Sequence, residues 1–163
     1  CIAYFSRFAL DFEAYYVNNK ILFIPPGDRY LLGVLNSRIA WWVINRIFQH
    51  MKDDGLSVDV QFLLALPVPK AETGLRDEIE RTVRLISEGE EDHDRVGLEL
   101  RLNTLIEEAF QLTDEERKIL ERSLPLRDPI AILDRVAAGG EPGDDLHLGC
   151  MDEAGTDSEC ALI

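Results

Sequence analysis

Between Arg29 and Gln49 the apolar residues Leu32, Leu35, Ile39, Trp42, Val43 and Ile47 recur at three- and four-residue steps, the spacing of one helix face. Trp41, Ile44 and Phe48 widen that stripe, so a long helix over 29–49 is expected to be buried on more than one side. Asp28 stands where an N-cap carboxylate can accept from the open N–H groups of the first turn. Before it, Ile2-Ala-Tyr-Phe-Ser-Arg-Phe8 reads as a strand. Tyr15-Tyr-Val17 and Lys20-Ile-Leu-Phe-Ile24 read as a hairpin turning at Asn18-Asn19, whose short amides tolerate positive φ. Pro25-Pro26-Gly27 then ends the extended run.

The polar group Gln49-His-Met-Lys-Asp-Asp-Gly55 closes the long helix. Residues 56–66 alternate loosely and extend the sheet. Leu66-Pro-Val-Pro69 then leads out of the fold, because two prolines cannot donate to a ladder. Beyond it the chain turns to charged helix. Leu75, Ile79, Val83 and Ile86 form one narrow stripe, and Leu98, Leu102, Leu105, Ile106 and Ala109 form another, which predicts an antiparallel helix pair. Thr113-Asp-Glu-Glu116 is a capping box that opens a third helix carrying Ile119 and Leu120. From Ala137 onward large apolar residues are sparse, which predicts an acidic flexible tail. The expected class is therefore α+β: a small antiparallel sheet packed on a long buried helix (1–70), a helical appendage (71–136), and a disordered acidic tail (137–163).

Charge sharpens this division. The 163 residues carry a net charge of −14, but residues 1–70 hold seven basic and six acidic groups, whereas 71–163 hold ten basic and twenty-five acidic. The acidity belongs to the second half, and only the first half can approach a polyanion. No apolar run is long enough to cross a bilayer, so no membrane partner is expected. Three cysteines at the two extremes, without metal-ligand spacing, fit a reducing cytoplasm. The start at Cys1, directly in strand-like sequence, reads as a piece of a longer polypeptide.

Catalytic signatures are missing from the residue pattern. There is no glycine-rich phosphate loop, no nucleophile elbow and no paired histidine on a helix turn, and His50, His93 and His147 stand far apart. Asp53-Asp54 and the stretch 88–94 read as solvated acidic loops before they read as cation sites. No catalytic, cofactor-binding or metal-ligating residue is assigned. The groups suited to DNA are Arg7, Asn18, Asn19, Lys20, His50 and Lys52: amides, an imidazole and cations on a hairpin tip and in the polar group after the helix.

Three segments in order carry a family likeness. They are Tyr30-Leu-Leu-Gly-Val-Leu-Asn-Ser37, Gln61-Phe-Leu-Leu-Ala-Leu-Pro-Val-Pro69, and Leu105-Ile-Glu-Glu-Ala-Phe-Gln-Leu-Thr-Asp-Glu-Glu116. Over roughly residues 1–122 the chain resembles the TaqI-like C-terminal specificity domain of restriction-modification adenine-N6 DNA methyltransferases. In that family the Leu-Asn-Ser segment begins a helix, and a leucine-proline-aliphatic-proline phrase closes the recognition domain.

The resemblance implies double-stranded DNA as a partner and a methyltransferase domain upstream in the same polypeptide, binding S-adenosylmethionine and in some members fused to a nuclease. The Asn/Asp-Pro-Pro-Tyr/Phe loop and the cofactor glycine motif of such enzymes are absent here. The chain itself is thus expected to bind no cofactor and to be no enzyme. The resemblance assigns no base-contacting residue. A rival expectation is a protein-protein module whose acidic helices bind a partner subunit. A sheet cut at its edge would also favour homodimer pairing.

Overall fold

A computed structural model describes residues 2–3, 8–12, 16, 21–51, 55–88, 94–125, 150–151 and 157–158. In chain order the elements are β1 (Ile2–Ala3), α1 (Arg29–Leu35), α2 (Arg38–Ile47), β2 (Gln49–His50), β3 (Leu56–Ser57), α3 (Val60–Leu63), α4 (Thr73–Glu88), α5 (Arg95–Ala109), α6 (Asp114–Ser123), β4 (Cys150–Met151) and β5 (Asp157–Ser158). The architecture is mixed, mostly helical, with a small antiparallel sheet of order β1-β3-β2. Ile2 lies opposite Ser57 on one side of β3, and Gln49 lies opposite Ser57 on the other.

The single helix expected over 29–49 is two helices, broken at Asn36-Ser37. Ser37 takes extended backbone, and its Oγ accepts from Ala40 N at 3.2 Å while donating to Val34 O at 2.7 Å. One hydroxyl thereby caps α2 and satisfies a carbonyl at the end of α1. Asn36 holds the break from outside: its Oδ1 accepts from Phe8 N and its Nδ2 donates to Phe8 O, both at 2.9 Å. Asn103 of α5 supplies a further acceptor, taking Arg38 N at 2.7 Å. The apolar spacing runs through the break because Leu35 and Ile39 keep a helical step, so periodicity alone could not detect it.

The sheet also differs from expectation. The turn at Asn18-Asn19 lies outside the described residues. Residues 21–24, expected as its second strand, carry no strand pairing: Ile24 turns into the core just before two prolines that cannot donate. The strand expected over 56–66 stops at Ser57, because Asp59 accepts from Gln61 N at 3.0 Å and caps the short α3. Within 137–163, β4 pairs antiparallel with β5. The rest of the expected flexible tail lies outside the described residues.

Two apolar cores meet along α1 and α2. The larger joins Tyr30, Val34 and Ile39 to Ile79 and Val83 of α4, Leu102, Leu105, Ile106 and Ala109 of α5, and Leu120 of α6. The smaller joins Leu35, Ala40, Trp41, Ile44 and Phe48 to Leu56 of β3 and Leu66. The helices after Pro69 therefore pack directly on α1 and α2. Gly33 sets how closely: a Cβ there would lie 2.9 Å from Val83 Cγ2, 3.2 Å from Ile79 Cγ2 and 3.3 Å from Leu102 Cδ1.

Polar contacts fasten the edges of this packing. Asp28 is the N-cap of α1, accepting from Leu31 N at 2.7 Å, and its second oxygen takes Arg76 Nη2 of α4 at 2.6 Å. The Arg76 guanidinium lies 4.5 Å from the Tyr30 ring centroid, and the Tyr30 hydroxyl donates to Pro69 O at 2.7 Å. The expected antiparallel pair is α4 and α5. The expected capping box is present as well: Glu116 N donates to Thr113 Oγ1, and Thr113 N donates to Glu116 Oε2 at 2.8 Å. Those bonds hold the Glu116 carboxyl below its ordinary pKa. Between α5 and α6, burial pushes the Glu107 carboxyl above its ordinary pKa although Arg117 Nε lies 3.3 Å away.

The C-terminal turn of α5 is a Schellman motif, with Gln111 N bonded to Glu108 O and Leu112 N to Glu107 O. Its left-handed position is filled by Gln111, at φ 55°. Replacing Gln111 by Gly should raise stability by about 1 kcal/mol, since the Cβ penalty disappears. At Gly33 the effect should be opposite in sign. Gly33→Ala should destabilise by about 1–3 kcal/mol through overpacking, although helix propensity alone favours Ala by about 1 kcal/mol. Denaturant unfolding reads both, and a stabilised Gly33→Ala would show that α1 does not sit this close to α4.

Candidate nucleic-acid interface

The polar group after α2 does more than end a helix. Met51 N donates to Gly55 O at 2.7 Å and closes a hairpin of β2 and β3. Asp54-Gly55 was the available signal, since Asp-Gly between strand-forming residues marks a tight turn. The hairpin is anchored at Leu56, which is 1% exposed in the smaller core.

His50 lies opposite Leu56, and cross-strand partners share a sheet face, so the imidazole starts at the rim of the core face. It bends back onto α2, with Nε2 2.7 Å from Asn45 O. A carbonyl only accepts, so in this contact Nε2 carries the proton. Gln49, opposite Ser57, projects from the other face and is exposed. The strand holding both residues is an edge of the sheet.

One turn earlier, the adjacent tryptophans separate. Trp41 is 2% exposed in the smaller core, while Trp42 packs on the larger one. Trp42 Nε1 donates to Ser123 Oγ of α6 at 2.7 Å, and that hydroxyl donates to Ile119 O at 2.6 Å. Arg46 covers the exposed side of the ring, its guanidinium carbon 3.7 Å from the centroid. Its Nη1 donates to Trp42 O at 2.9 Å and its Nη2 to Ser123 O at 3.2 Å.

Several arginines elsewhere are matched by carboxylates. Arg29 meets Glu88, Arg76 meets Asp28 and Glu80, Arg95 meets Glu99, Arg101 meets Glu78, and Arg117 meets Glu107 and Asp114. Arg46 meets no carboxylate among the described residues; its partners are carbonyl oxygens and a ring.

Of the six residues singled out for DNA, His50 alone has a described position, exposed on the hairpin. Arg7, Asn18, Asn19, Lys20 and Lys52 lie outside the described residues. The structure adds Asn45, Arg46 and Gln49 to its vicinity. The four-residue step from Trp42 to Arg46 was visible as a sequence signal, since it stacks a cation over an indole on one helix face.

Among the described residues no three His, Cys, Asp or Glu side chains gather as a metal site, and no helix is long and apolar enough to cross a membrane. No family model, curated protein or solved structure matches the chain.

Proposed function

We propose that the chain is the C-terminal part of a DNA target-recognition domain that gives sequence choice to an adenine-N6 methyltransferase, itself part of the same polypeptide and the binder of S-adenosylmethionine. The chain supplies no catalytic group. The observation that carries this reading is the β2–β3 hairpin: it exposes an amide and an imidazole, Gln49 and His50, on an edge strand anchored by a fully buried leucine. Amides pair with adenine edges and an imidazole can accept or donate at a base, and a rigid scaffold holds them in register with a groove.

The α2 start at Ser37 supports the same reading, since it falls in the Leu-Asn-Ser segment where the resembled family begins a helix. Charge supports it too. The hairpin belongs to the near-neutral half, while the strongly acidic half would be repelled by phosphate. Arg7, Asn18, Asn19, Lys20 and Lys52 belong to this reading as contacts in the same half.

The test is binding of short duplexes by the full chain, read by fluorescence anisotropy over a salt series. Lys52→Ala should weaken binding to every duplex and lower the salt slope by about one unit. Gln49→Ala should instead change which duplex is preferred, by roughly 1–3 kcal/mol for a lost bidentate base contact. If both are silent while substitutions on α4 and α5 abolish binding, the interface lies on the helices. If no duplex binds at low salt and a basic partner protein does, the acidic helices are the working surface and the protein-protein reading replaces this one.

A further inference from the structure

We propose that Arg46 is a DNA-backbone contact, a guanidinium held in advance for one phosphate beside the bases read by β2; this inference rests on the DNA-recognition reading above. Ion-paired arginines of this chain sit against carboxylates, whereas the Arg46 guanidinium lies on the Trp42 ring and spends one N–H on Trp42 O and one on Ser123 O. Its positive charge is therefore uncompensated among the described residues. Nε–H and the second N–H of each Nη remain, and they form the planar fork that suits phosphate oxygens.

Orientation is the second part. A free arginine loses rotamer freedom when it grips a ligand, about 0.5–1.5 kcal/mol for such a side chain. Here the stack at 3.7 Å and the two carbonyl bonds have already removed much of that freedom. Trp42 is itself fixed by its bond to Ser123 Oγ, so α2 and α6 together hold the cation. Position is the third part. Gln49 is three positions beyond Arg46, a reach of at most about 10–11 Å, which lies within the roughly 12 Å width of a major groove. A phosphate at Arg46 and a base edge at Gln49 thus fit one groove wall. The exposed Arg122 precedes Ser123 in the last turn of α6 and adds positive charge near the same carbonyl.

The test uses the full 163-residue chain and a short mixed-sequence duplex, with anisotropy titrations over a salt series and a thermal melt of each variant. Arg46→Gln should lower the slope of log K against log salt by about one unit and weaken binding about eightfold at 0.1 M salt, as the loss of one phosphate contact requires. Arg46→Lys should keep the slope and recover only part of the affinity, because it keeps the charge and loses the fork. An Arg46→Gln variant that melts lower yet keeps the wild-type slope overturns the proposal and leaves Arg46 as a clamp between α2 and α6. If Arg46→Gln does not fold, the Arg46 Nε–H resonance of the wild-type chain decides: a saturating shift with duplex supports the contact, and an unmoved resonance overturns it. Wild-type chain that binds no duplex at low salt overturns the DNA reading itself, whereas wild-type binding with an unchanged Arg46→Gln slope overturns this contact alone.

Discussion

The Ser37 hydroxyl, 1% exposed and bonded on both sides of a two-residue break, is the constraint on which the rest of the fold depends. As an energy it is modest, about 1 kcal/mol for an N-cap, less than burial of a single isoleucine at about 1.5–3 kcal/mol. Its effect is directional. By ending α1 and starting α2 on a new axis, it lets Val34 and Ile39 enter one core while Leu35 and Trp41 enter the other. The same redirection carries the end of α2 to the sheet, where Phe48 and Leu56 close the smaller core and the chain turns into the β2–β3 hairpin.

Stability and surface chemistry then divide between different parts of the sequence. Ile79 and Ile106, each 0% exposed, bind α4 and α5 to the α1 face and to each other. The ion pairs around that core involve partly exposed side chains and are worth about 0.2–1 kcal/mol each, so they orient helices already held by burial. Gly33 makes the arrangement possible, since any side chain there would press on Val83. Glu78, Glu80, Glu88, Glu99, Glu107, Asp114 and Glu115 of the second half are taken up in pairing with basic groups, whereas Gln49 and His50 stand exposed on the hairpin.

Much of the helical fold was legible in the residues because it depends on local rules. The α4 and α5 stripes, the Thr113 capping box and the Asp28 cap follow from three- and four-residue spacing and from side chains bonding their own helix ends. The break at Asn36-Ser37 was hidden, since Asn36 acts through Phe8, twenty-eight positions away, and no local pattern records that partner. The β2–β3 hairpin was hidden for a related reason: Asp54-Gly55 sat in a polar group that looked only like a helix end. His50 was therefore singled out as a helix-end residue and proves to be a strand residue, folded back onto Asn45. Arg46 was hidden by its place in an apolar helix, where its stack on Trp42 becomes visible only once the two tryptophans are assigned to separate cores.

In the proposed reading, the capped break between α1 and α2 presents the end of α2 and the β2–β3 hairpin as a fixed DNA-facing surface. Backbone amide NMR of the full chain, titrated with duplex at low salt, tests it residue by residue. Shifts at residues 45–57 and at Arg7, Asn18, Asn19 and Lys20, with α4 and α5 unmoved, are the predicted result. Shifts concentrated on α4 and α5 with the hairpin silent would contradict it.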